Sequence, residues 1–174
     1  MPKIKIIHIE WSGPYRFDQL SELNDSNRDY GVYQIYGGHP VYGSQVLLYI
    51  GKADQQTFYT RISQENWHLN CNAGLLQVHV GRLAGSQTPG LKQWSQEISI
   101  AEKLLIYSHA PACNAQFISS FNEDGLHDVH ILNWGCYRDL MPEVSGSRWT
   151  SKYDDMPTYG IYNLSNSSRL RKKL

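Results

Sequence analysis

Tyr33, Tyr49, Lys52, Arg61, Glu102 and Asn114 are the residues of this sequence whose types and spacing could do chemistry. Tyr33 sits in a run reading YGVYQIYG, and Tyr49 and Lys52 in a run reading YIGKA; both runs are β-prone and carry glycine. Two phenols and an ammonium on neighbouring strands serve either as ordinary cross-strand packing or as half of an active site. Arg61 follows in a helical stretch, with Glu65 and His68 at i+4 and i+7 on the same face. A strand, a tight turn and a helix would bring Tyr49, Lys52 and Arg61 to one end of a sheet. Glu102 lies one turn from Ile98 and from Leu105, so its carboxylate leans on an apolar stripe. An acid held there is costly to bury unless it meets a cation or a metal. Asn114 stands twelve residues on, beyond the helix-ending Pro111.

The elements that must position these residues follow from periodicity. Residues 3–9 alternate charge with isoleucine and predict a first strand, and residues 17–23 a short amphipathic helix ended by a polar stretch. Strands are expected at 30–36 and 46–50, joined by a long hairpin connection rich in glycine and containing Pro40. Phe58, Ile62 and Leu69 give helical spacing over 56–69, and residues 75–83 read as a further central strand. Residues 92–108 form the strongest helix, because Trp94, Ile98, Ala101 and Leu105 build one buried stripe. A strand is expected over 128–134, then irregular β structure to Trp149. The order β-α-β-β-α-β-α-β describes an α+β fold, a small, mostly antiparallel sheet flanked by helices.

Composition bounds the rest. A chain of 174 residues fits one domain and buries roughly 70% of its unfolded surface, so it needs no disulfide or metal staple. Sixteen basic residues balance sixteen acidic ones, leaving no global field to attract nucleic acid; such binding would rest on local clusters. The basic tail Arg169, Arg171, Lys172, Lys173 reads as a solvated terminus. Twelve tyrosines and five tryptophans exceed what a core of this size requires and hint at a binding surface. Cys71, Cys113 and Cys136 are widely spaced, which predicts buried thiols in a reducing, cytoplasmic setting and not a disulfide framework or zinc site. No apolar run approaches a membrane span, and the N-terminus lacks a signal-peptide apolar block.

Residues 31–33 (GVY), residues 49–53 (YIGKA), Arg61, residues 101–106 (AEKLLI) and Asn114, in that order, resemble the motifs of the GIY-YIG nuclease superfamily. The resemblance implies a GIY-YIG-like core over about 28–118, an N-terminal extension over 1–27 and a C-terminal extension over 119–174. It implies a hydrolase that cuts phosphodiesters with one divalent ion, Mg²⁺ or Mn²⁺, held by Glu102. Arg61 would fork onto the non-bridging oxygens of the phosphate. Tyr33 and Tyr49 would orient or deprotonate the attacking water, with Lys52 lowering a phenol pKa that ordinarily lies near 10. Asn114 would buttress the site. The family usually places His or Tyr four residues after the arginine; this chain has Glu65, and His68 on the same helical face would supply the imidazole.

The function implied is a DNA endonuclease, most like the small stand-alone restriction-type enzymes, which embed recognition in extensions around the core. Arg138 and Arg148 are then candidates for guanine edges, and Trp134 and Trp149 for stacking, in the segments NWGCYRD and GSRWTS. Two copies meeting to cut both strands would make a homodimer. The alternatives are a catalytically impaired GIY-YIG-like nucleic-acid-binding module and a structure-specific repair or recombination nuclease.

Overall fold

The computed structural model describes residues 4–65, 75–118 and 126–146. It contains a six-stranded sheet in the order β3-β2-β4-β1-β5-β6. The strands are β1 (Lys5–Arg16), β2 (Gly31–His39), β3 (Gly43–Ala53), β4 (Gln77–Ala84), β5 (Val129–Gly135) and β6 (Glu143–Ser145). Every pairing is antiparallel except β1 with β5. Two α-helices, α1 (Phe58–Ser63) and α2 (Leu91–His109), and a 3-10 helix (Phe17–Leu23) complete the described fold. The class is α+β, as periodicity predicted.

Several boundaries differ from the expected ones for local reasons. β1 runs past residue 9 because Trp11 continues the buried alternation of Ile7 and Ile9, and a register irregularity between Ser12 and Tyr15 accommodates Pro14. The helix expected over 17–23 is 3-10, with Leu20 and Leu23 buried one turn apart. The β2–β3 connection is a tight tip instead of a long one. His39 Nδ1 accepts the backbone N–H groups of Val41 (3.2 Å) and Tyr42 (3.3 Å), which lets both strands extend to the turn. α1 is described over Phe58–Ser63, opened by Thr57, whose hydroxyl accepts the Thr60 N–H; the remainder of the expected helix lies outside the described residues. β6 gives the region after β5 one regular strand where irregular β structure was expected.

The sheet is apolar on both faces, so the core has two halves. α2 lays Ile98, Ala101 and Leu105 on one face, against Ile9, Trp11, Val32, Ile50 and Ile131. α1 and the 3-10 helix cover the other face with Phe58, Ile62, Leu20 and Leu23, against Tyr33, Ile35, Val78 and Val80. β1 and β5, from either side of the expected nuclease-like core, are inserted into the same sheet. Trp11 on β1 donates to Asn133 on β5 across 2.8 Å, a buried tie between these distant segments.

Candidate active site

The β2–β3 register sets the tyrosine pair. Tyr33 faces Gly51 and Ile35 faces Tyr49, so the two phenols are diagonal neighbours on one side of the sheet. Their ring centroids lie 6.1 Å apart. Gly51 makes this possible: a Cβ there would sit 2.6 Å from Cζ and Oη of Tyr33 and from Cε1 of Tyr49. Sequence reading missed this role, although the glycine between Tyr49 and Lys52 was its signal. Tyr33 is fully buried, and its hydroxyl has no hydrogen-bond partner among the described residues. Burial, then Tyr49, Glu65 and Glu102, push its pKa far above the usual phenol value, and Arg61 only partly opposes them. Tyr49 is raised chiefly by burial and next by Glu65 and Glu102.

Lys52 belongs to a different microenvironment from the one expected. Successive side chains of a strand point to opposite faces, so Lys52, paired with Val32, faces α2 while the tyrosines face α1. Its Nζ donates to Ser99 Oγ at 2.9 Å and stands 3.7 Å from the Glu102 carboxylate. The lysine therefore compensates the acid and does not depress either phenol; both tyrosines are shifted upward. Ser99, one turn before Glu102, was not singled out from the sequence. Nothing but its helical offset could have marked it. Burial raises the Glu102 pKa, and Lys52, Arg61 and Lys103 counteract this in part.

Arg61 comes from the other helix. α1 and α2 pack on edge strand β3 from opposite faces of the sheet, which brings Arg61 and Glu102 around that strand to the tyrosine pair. Arg61 is half-buried and forms an ion pair with Glu65 along the helix. Burial opposes its charge, but Tyr33, Glu65 and Tyr49 outweigh that and hold the guanidinium firmly protonated. Asn114 grips the same strand: Oδ1 accepts the Ile50 N–H and Nδ2 donates to the Ile50 carbonyl, both at 2.9 Å. The Cys113 and Ala112 amides donate to the Leu48 and Leu47 carbonyls, so the segment after α2 closes the β3 edge.

The other expected residues divide differently. Arg138 is a structural clamp and not a free base reader. Its guanidinium lies 3.8 Å from the Tyr36 ring centroid and donates to Gln77 Oε1 (2.8 Å) and Gln45 Oε1 (3.2 Å). Trp134 is exposed on β5, stacked on His8, and four strands from β3, which is about 19 Å at ~4.8 Å per strand. His68, Arg148 and Trp149 lie outside the described residues.

Among the described residues no group of three His, Cys, Asp or Glu side chains stands together to enclose a metal. What is present is one mostly buried carboxylate, Glu102, with a lysine ammonium 3.7 Å away. That donor set fits a hard divalent ion held by a single protein oxygen and otherwise by water and substrate, the habit of Mg²⁺. Compared with protein-family models, with curated proteins and with solved structures, the chain matches none.

Proposed function

We propose that this protein is a GIY-YIG-type, divalent-metal-dependent endonuclease that hydrolyses DNA phosphodiester bonds, of the small restriction type. The observation that carries the proposal is the Tyr33–Tyr49 pair, 6.1 Å apart across β2 and β3, with the helices of Arg61 and Glu102 packed on β3 from its two faces. Glu102 would hold Mg²⁺ or Mn²⁺, which supplies charge neutralisation at the scissile phosphate. Arg61 presents a planar fork for two non-bridging oxygens. With their pKa values raised, Tyr33 and Tyr49 work as neutral phenols: each accepts a hydrogen bond from the attacking water and fixes its line of approach. Lys52 offsets part of the burial penalty on the Glu102 carboxylate. The proposed setting is the cytoplasm, where Cys113 and Cys136, exposed and not buried as expected, stay reduced. No helix among the described residues is long and apolar enough to cross a membrane.

The Arg61–Glu65 ion pair favours a second reading, a nucleic-acid-binding module with impaired catalysis, because it draws the guanidinium away from a phosphate. Incubation with supercoiled plasmid, with and without Mg²⁺, separates the two. Nicking that needs Mg²⁺ and disappears in Glu102→Gln supports the nuclease. DNA binding without Glu102-dependent nicking supports the binding module, and neither activity removes both.

A further inference from the structure

Beside the tyrosine–arginine–glutamate site, a cavity of about 720 Å³ opens at the start of α2. Two rungs from the end of β3 to α2 lie between the cavity wall and the turn that carries Glu102. Lys52 donates to Ser99, next to Glu102; two residues on, Asp54 accepts the Ser95 hydroxyl, one turn nearer the helix start. Two of its lining residues, Tyr30 and Trp94, form an edge-to-face corner with centroids 5.8 Å apart, and Leu91 is added as an exposed apolar rim. Trp94 brings an indole N–H that is buried and has no acceptor among the described residues. Asp54 brings a carboxylate whose Oδ1 takes no hydrogen bond among them, and Lys92 stands at the mouth.

A flat apolar corner with an acid at its edge matches a planar ring whose edge carries N–H groups. Guanine has that edge: N1–H and the 2-amino group donate together to a carboxylate. Thymine offers a single N–H between two carbonyls, which Asp54 would repel. A phosphate or carboxylate guest is disfavoured by Asp54 itself, while Lys92 at the mouth suits a phosphate attached to the base.

We propose that this cavity is a subsite for an unstacked nucleobase, guanine in first place, belonging to the strand whose phosphate reaches Glu102. Its role in DNA cleavage rests on the nuclease reading; base binding itself does not. From Ser95 to Glu102 is seven residues of helix, about 10 Å at ~1.5 Å per residue, so the occupant is a near neighbour of the scissile nucleotide. Taking a base out of the stack favours substrates that are single-stranded, mismatched or distorted at that position.

The test reads the Trp94 indole N–H resonance of the full chain, identified by its loss in Trp94→Phe, during titration with guanosine or thymidine 5′-monophosphate. The expected result is a saturable shift with the guanine nucleotide, and about tenfold weaker binding of the thymine one. Asp54→Asn should abolish that preference, and Tyr30→Leu should weaken both ligands. A Trp94 resonance unmoved at about 10 mM nucleotide, an equal response to both, or an unchanged preference in Asp54→Asn overturns the subsite. Plasmid cleavage is measured on the same samples. Glu102-dependent cleavage with a silent Trp94 overturns the subsite and leaves the nuclease standing. A responsive Trp94 in a protein that never cuts keeps the base site and overturns its place in a cleavage substrate.

Discussion

Tyr33 carries a hydroxyl that folding gains nothing from. It is fully buried and has no partner among the described residues, and leaving such a group unsatisfied costs about 1–3 kcal/mol. Tyr33→Phe is therefore expected to leave stability unchanged or raise it by about 1 kcal/mol, while slowing cleavage roughly 100-fold by removing a water-orienting group. Urea denaturation and single-turnover rates on one preparation check this; wild-type rates would remove the hydroxyl from the mechanism. Glu102 shows the same tension as a pH effect. Its folded-state pKa is raised, so the fold prefers the protonated acid. Stability is fully present below the ordinary glutamate pKa and is lost as pH climbs from there through the raised value. Glu102→Gln escapes that loss. Its melting temperature should match wild type at acid pH and exceed it at pH 7, although the variant is inactive; thermal unfolding across pH decides, and a gap that is constant with pH counts against a strained carboxylate.

At the scale of elements, the site is an agreement between two helices over one edge strand. The segment after α2 is pinned to β3 by Asn114, which is nine-tenths buried and gives Ile50 both a donor and an acceptor. Asn114→Ala strands both backbone groups and should cost about 2 kcal/mol, with cleavage falling because α2 carries Glu102. A lowered urea midpoint at unchanged slope is the expected signature; an unaltered midpoint would show that water replaces the side chain without loss. On α1, Glu65 holds Arg61. Glu65→Gln should release the guanidinium and raise the single-turnover rate several-fold. The gain should shrink with salt, since exposed charges are screened over about 10 Å at 0.1 M ionic strength. A lower rate in that variant would instead make Glu65 the residue that aims Arg61.

At the scale of the whole molecule, a net charge of zero means that the proposed DNA binding would rest on a few local contacts. Three cations influence Glu102: Lys52, Arg61 and Lys103. If these set the phosphate contacts, the slope of log K against log salt should be about −3, at roughly −0.9 per phosphate neutralised. Fluorescence anisotropy with Glu102→Gln over a salt series measures it. A slope steeper than about −6 would move binding to other basic residues, the cluster at Arg169, Arg171, Lys172 and Lys173 foremost.

The sequence by itself determined what short-range periodicity controls. Alternation at Ile7 and Ile9 made a strand, the Ile98–Ala101–Leu105 stripe made α2, and Pro111 ended it. It also set the order of tyrosine, arginine, glutamate and asparagine along the chain, without deciding how the elements carrying them pack. Tertiary structure decided which face each residue looks onto and what waits there. Pleat parity alone puts Lys52 opposite Tyr33 and Tyr49, but that α2 and its acid lie on the Lys52 face follows from where the helix packs. Burial depth set the direction of both phenol pKa shifts, and depth is a sum over distant chain segments that no local pattern contains. Arg138 shows the same limit: beside Trp134 it read as a surface cation, yet a left-handed backbone (φ 53°) turns it back over Tyr36. β1 joins β5 in parallel through contacts more than a hundred residues apart, the least local pairing in this sheet, and core closure decides it.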